Sequence, residues 1–152
     1  MRLYRLTQKH FADDFSGKGA ELYGGRWNSV GTKMIYTAES RALCVAEMAV
    51  HLNMAMMRVQ YTMITYAFNE KEIPILYEVK QLPKDWDVFP HAQSTQTIGD
   101  RFVAEDKYAI LKVPSAVVAG EYNYLINPTH QAAKKIKVES IVDFRIDPRL
   151  AK

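Results

Sequence analysis

Arg26, Tyr36, Glu47 and Ser115 are the side chains of this 152-residue chain whose types and settings point to chemistry. Arg26 stands in Tyr23-Gly24-Gly25-Arg26-Trp27-Asn28-Ser29-Val30-Gly31, where glycines, an aromatic ring and short hydrogen-bonding side chains crowd together. Glycines let a backbone approach a ligand closely or take positive φ. A guanidinium beside them offers a planar fork of donors that matches phosphate. The stretch therefore reads as one wall of a pocket for a phosphorylated ligand. No Gly-Lys-Ser/Thr follows it, as a nucleotide-binding P-loop requires. The glycine spacing is also wrong for a dinucleotide fingerprint, and no strand leads directly into it.

Each of the other candidates has a structural reading as well. Leu43, Glu47 and His51 share one helix face, so Glu47 is either at the edge of the core or inside a pocket. Burial there would raise its pKa and a nearby arginine would lower it. Glu47 and His51 make at most half a metal site, and no matching pair of ligands is found, so no metal is expected. Tyr36 lies in a short apolar run, either as core or as a ring face for a flat heterocycle. Ser115 follows Pro114 at a strand end, as a turn residue or a hydroxyl donor to a ligand. No Gly-x-Ser-x-Gly elbow surrounds it, which argues against a serine nucleophile. His10, His91 and His130 read as surface residues, because nothing in the sequence pairs them.

These residues need elements to hold them. The length suits a single domain, here 1–152, around one core. Leu3 to Leu6 and Met34 to Thr37 predict short strands, and residues 10 to 33 a functional loop. Ser40 is placed to cap a helix over Arg41 to Leu52. Strands are expected over 58 to 68, Ile73 to Val79, Tyr108 to Val113 and Ile141 to Ile146. Thr95 is placed to cap a helix through Ala104, and a short helix is expected between Pro128 and Lys134. Short mixed strands with a few helices, lacking regular βαβ alternation, predict a compact α+β domain.

Composition sets outer limits. A hydrophobic fraction of 48%, a charged fraction of 24% and a net charge of +3 permit anionic ligands without demanding nucleic acid. Lys134-Lys135-Ile136-Lys137 reads as a solvated face. No apolar run approaches the ~18 residues of a membrane span, and the N-terminus lacks the apolar core of a signal peptide. The lone Cys44 reads as a buried thiol, and a cytoplasmic protein is expected.

Several segments also occur in a familiar order. Phe15 to Asn28 is followed by Met34-Ile-Tyr-Thr-Ala-Glu-Ser40 and Ala46-Glu-Met-Ala-Val-His51. Then come Thr97-Ile-Gly-Asp100, Val113-Pro-Ser115, Asn123-Tyr-Leu-Ile-Asn-Pro128 and Phe144-Arg-Ile-Asp-Pro-Arg-Leu150. In this order the chain resembles the RES domain family, whose arginine, glutamate and serine map onto Arg26, Glu47 and Ser115. Phe102 stands where tryptophan is common in the family, a conservative aromatic change.

The resemblance implies an ADP-ribosyltransferase-like fold and the toxin half of a bacterial RES-Xre toxin–antitoxin pair. It implies NAD+ as substrate, with no cofactor, and an Xre-type, DNA-binding antitoxin as partner, with no direct contact to nucleic acid or membrane. In that reading Arg26, Glu47 and Ser115 form the catalytic set, and Gly25, Trp27, Asn28 and Tyr36 line the substrate. Arg26 would hold the pyrophosphate, Tyr36 would stack on nicotinamide, and Ser115 would bond the ribose or carboxamide. Glu47 would stabilise an oxocarbenium-like state or orient a 2′-hydroxyl or water. Water, phosphate or a macromolecule remain open as the acceptor, so an ADP-ribosyltransferase is one rival. A nucleic-acid-binding or ribonuclease-like toxin is another.

Overall fold

The computed structural model describes residues 1–51, 53 and 56–150. Seven strands form one sheet in the order β4-β5-β6-β2-β1-β3-β7. They are β1 (Arg2–Gln8), β2 (Ile35–Ala38), β3 (Tyr61–Ala67), β4 (Ile75–Leu76), β5 (Ile110–Pro114), β6 (Tyr122–Ile126) and β7 (Lys137–Phe144). Every pairing is antiparallel except β4 with β5. The helices are α1 (Lys18–Tyr23), α2 (Arg41–Ala49) and α3 (Gln93–Glu105). This is the expected α+β class. Among the described residues no helix is long and apolar enough to cross a membrane.

Successive side chains of a strand point to opposite faces of a sheet, and the sheet carries a core on each. Ile35, Ile64, Tyr66, Ile110, Tyr124 and Ile126 point to one face, where Leu3, Ala133 and Ile136 join them. The other face is divided between two clusters. Leu111, Val113 and Leu125 pack with Trp27, Met34 and Phe102 of the loops and α3. Ala38 and Met63 pack with Leu43 and Cys44 of α2. Glu47, Ser115 and Asn123 belong to this second face, between the two helices.

Local sequence explains much of this. The Ser40 hydroxyl accepts the Leu43 N–H at 3.0 Å and caps α2 as expected. That helix ends at Ala49 rather than continuing to Leu52, which lies outside the described residues. Burial pushes the Cys44 thiol up to about 12, which leaves it a packing group.

Other elements differ from expectation. The loop expected over 10 to 33 contains α1, flanked by Gly17 at φ 72° and Gly24 at φ 69°. Thr95 does not cap α3: the cap position is Ala92, whose carbonyl accepts the Thr95 hydroxyl at 2.9 Å. The strand expected over Ile73 to Val79 shrinks to Ile75–Leu76. The last strand begins earlier, at Lys137. A 3₁₀ turn, Gln131–Lys135, stands where a short helix was expected. β6, a central strand, had no counterpart in the sequence reading.

One close approach fixes α3. A Cβ added to Gly99 would fall 1.6 Å from the carbonyl oxygen of Trp27. The helix therefore sits directly on the backbone of the Gly25–Asn28 loop, with no room for a methyl group. Alanine normally favours a helix interior over glycine by about 1 kcal/mol. Here the clash with backbone outweighs that gain, so Gly99→Ala should destabilise the fold by about 1–3 kcal/mol. Thermal unfolding checks this, and an unchanged or raised Tm would refute the seating of α3 on the loop.

Candidate active site

The loop after α1 supplies Gly25 and Arg26, β2 supplies Tyr36, α2 supplies Glu47, and β6 supplies Asn123. All of these border one cleft of about 720 Å³. A second cleft of about 590 Å³ lies against β1 and α1, lined by Tyr4, Leu6, Phe11, Leu22 and Tyr23 among others. The two share Tyr36, Glu47, His51 and Asn123 as a common wall. Glu47 thus stands where two cavities meet, each of a size suited to a small ligand.

The carboxylate is held from one side. Its Oε1 accepts the Ser115 hydroxyl at 2.7 Å and the Asn123 side-chain N–H. No protein donor reaches Oε2 among the described residues, so that oxygen is left for a ligand. Asn123 is delivered by register: it pairs with Ala38 across β2 and β6, and with Val113 across β5 and β6.

Ser115 is 3% exposed and lies beneath the cleft. Its Oγ accepts the N–H groups of Val117 at 3.1 Å and Val118 at 2.9 Å while donating to Glu47. A hydroxyl has one proton and two lone pairs, and all are engaged. In this geometry Ser115 orients Glu47 and has no capacity spare for a sugar.

Tyr36 and the glycine-rich loop are interlocked. The Tyr36 hydroxyl donates to Asn28 Oδ1 at 2.7 Å and accepts the Trp27 N–H at 3.0 Å. Burial pushes the phenol well above its ordinary value, against a smaller opposing effect of the Trp27 N–H. A Cβ on Gly25 would lie 2.6 Å from the same hydroxyl, so glycine is needed there for contact rather than flexibility. Asn28 is 0% exposed, and its Nδ2 donates to the carbonyls of Ala20, Thr32 and Ser29 at 2.8, 3.0 and 3.1 Å.

The sequence-based expectations therefore divide. Arg26, Tyr36, Glu47 and Gly25 do meet at the cleft, with Ser115 directly behind Glu47. Trp27, 2% exposed, borders the cleft but turns its ring into the core, and Asn28 is buried behind the wall. Their placement makes them supports of the loop.

Arg26 is half-buried and not idle. Its Nη1 donates to the carbonyls of Trp86 at 2.8 Å and Val88 at 2.9 Å. That ties the irregular segment 77–92 to the glycine-rich loop beside the cleft. Nε and Nη2 have no protein partner among the described residues and remain for a ligand. The segment brings Asp87, Phe89 and His91 to the cleft, with His51 from the end of α2. Local sequence offers no signal for these residues, and His91, expected at the surface, is half-buried at the cleft. Burial, then the charge of Arg26, then His51 hold His91 below its ordinary value, favouring its neutral form. Among the described residues no group of three or more His, Cys, Asp or Glu side chains is placed to hold a metal ion.

The cleft in this α+β fold therefore joins an oriented carboxylate with an arginine that follows two glycines. The chain belongs to the RES domain family, whose model matches residues 2–147. It is 38% identical over 152 residues to the "Prs ADP-ribosylating toxin" of Sphingobium sp. (strain YBL2), covering 98% of this chain and 94% of that one. It is 36% identical to a "Toxin Res" of Photorhabdus laumondii, covering 100% and 98%. The fold is similar to that found in the crystal structure of the M. tuberculosis MbcT-MbcA toxin-antitoxin complex, with a TM-score of 0.76 at 22% identity. That likeness covers 94% of this chain and 83% of the other.

Ser115→Ala would leave the N–H groups of Val117 and Val118 without their acceptor and remove a donor from Glu47. Val117 is exposed, so the cost is that of the lost hydrogen bonds, about 0.5–1.5 kcal/mol each, and urea unfolding should show a loss of about 1 kcal/mol or more. A loss below about 0.5 kcal/mol, the range of an ordinary surface substitution, would refute the bonded arrangement.

Proposed function

We propose that this chain is the toxin of a toxin–antitoxin pair and that it cleaves the nicotinamide–ribose bond of NAD+. The observation that carries this reading is Glu47, which lines both clefts and is fixed by Ser115 and Asn123 through one oxygen, with no protein donor on the other among the described residues. The family and the relatives named as toxins support the biological setting. An antitoxin of Xre type that covers the clefts is the partner this reading requires.

The chemistry follows from the substrate. When the C–N bond breaks, its electron pair leaves with the nicotinamide nitrogen and neutralises the pyridinium, so no strong general acid is needed. Positive charge then develops on the ribose. A fixed carboxylate stabilises that charge without reorganising, and Glu47 Oε2 is the atom available for it. Arg26 holds the pyrophosphate through the guanidinium nitrogens its loop contacts leave free. Water adds to give ADP-ribose, nicotinamide and a proton. Phosphate in place of water gives the 1″-phosphate of ADP-ribose. Transfer to a protein side chain is the second reading, favoured by the relative named as an ADP-ribosylating toxin.

Purified, antitoxin-free protein incubated with NAD+ should release nicotinamide, and product identification with and without phosphate fixes the acceptor. Absence of release at every phosphate concentration overturns the reading. Glu47→Gln keeps size and removes charge, so kcat should fall on the order of 10²-fold with KM little changed. A kcat within about threefold of the parent, at unchanged Tm, would remove Glu47 from the chemistry.

A further inference from the structure

Phe89 is a large apolar side chain that the fold leaves 72% exposed, and it borders the 720 Å³ cleft. Of the other large rings at this cleft, Trp27 is turned into the core, and Tyr36 is half-buried with its hydroxyl locked to the loop. Phe89 offers this cleft a large, exposed aromatic face that no core contact covers.

Its position is set from three directions. The preceding carbonyl, of Val88, accepts from Arg26. The ring of His91 meets it edge-on, at 5.5 Å and 81°. The ring of His51 lies 6.1 Å away. His51 lies just beyond α2, four residues after Glu47, and lines the same cleft as Glu47 and Phe89. Glu47 and Asp87 place carboxylates on the same cleft. Aromatic face and carboxylates together suit a flat cation.

Resting on the NAD+ reading above, we propose that Phe89 is the platform on which the cationic pyridinium ring of the dinucleotide stacks, and so a substrate-binding residue selective for the charged ring. Arg26, whose Nη1 grips the backbone beside it, couples the phosphate contact to the placement of this ring. Burial of His91 helps by keeping a third cation away from the pyridinium.

The test is calorimetric binding of three ligands to the full chain. One is a carbocyclic analogue of NAD+, which keeps the pyridinium but cannot be cleaved. The others are reduced NADH, whose ring is neutral, and ADP-ribose, which has no such ring. Phe89→Ala should weaken the analogue by about fivefold to thirtyfold, the range of a ring or cation–π contact. NADH should lose less, and ADP-ribose should stay within about twofold. Phe89→Trp should keep the affinity of the parent for the analogue. Equal binding of the analogue by Phe89→Ala and the parent overturns the proposal. So does an equal loss for all three ligands, which would place Phe89 away from the pyridinium. A parent protein that binds none of them overturns the NAD+ reading and this proposal with it. A parent that binds them, with an indifferent Phe89→Ala, overturns this proposal alone.

Discussion

The buried side-chain amide of Asn28 is the interaction on which the site depends. A primary amide has two N–H groups to give and one oxygen to receive. The two N–H groups of Asn28 serve the carbonyls of Ala20, Ser29 and Thr32, one of them shared between two acceptors, and its oxygen receives the Tyr36 hydroxyl. In doing so it ties α1, the glycine-rich loop and β2 into one unit. Arg26 emerges from that unit at a fixed place. Trp27 and Gly99 then seat α3 against it without an intervening side chain. A polar group this deep is tolerated because its bonds are made; it sets the geometry of the loop rather than adding bulk stability.

A comparable economy governs the carboxylate of Glu47. Glu47 has partners on one oxygen only, both from chain segments far along the sequence. Ser115 in turn is fixed by the N–H groups of the turn it begins. Orientation passes from backbone to hydroxyl to carboxylate, each step a short hydrogen bond. The arginine is arranged differently, with part of its guanidinium committed to carbonyls of the segment beside the cleft. One side chain therefore both braces that segment and brings a positive charge to the cleft.

Legibility in the sequence followed where burial is one-sided. α2 has an apolar stripe and a serine cap, and both could be read directly. β6 could not, because Tyr124, Leu125 and Ile126 are all buried between two cores, and the alternation that marks a half-exposed strand is lost. α1 is six residues long, in a glycine-containing stretch, and is held by tertiary contacts that local propensity does not encode. At the site, residue types pointed to Arg26, Tyr36, Glu47 and Ser115. They did not reveal that Trp27 and Asn28 face inward, because a loop's composition does not tell which side chains turn toward the ligand. Asn123 was visible within an ordered motif, but its bond to Glu47 arises only from strand register. Phe89 and His91 lie in a segment with no periodicity at all.

The distances along the chain between Glu47 and its two donors have a consequence for biogenesis. Ser115 lies 68 residues downstream of Glu47, and Asn123 lies 76 downstream. A nascent polypeptide that has released only its first hundred residues carries the arginine and the glutamate but neither donor. The carboxylate acquires its orientation only after β5 and β6 have left the ribosome and inserted beside β2, the kind of long-range pairing that forms slowly. A chain that stops short of Ser115 lacks both donors, so the orientation of Glu47 is a property of the completed sheet.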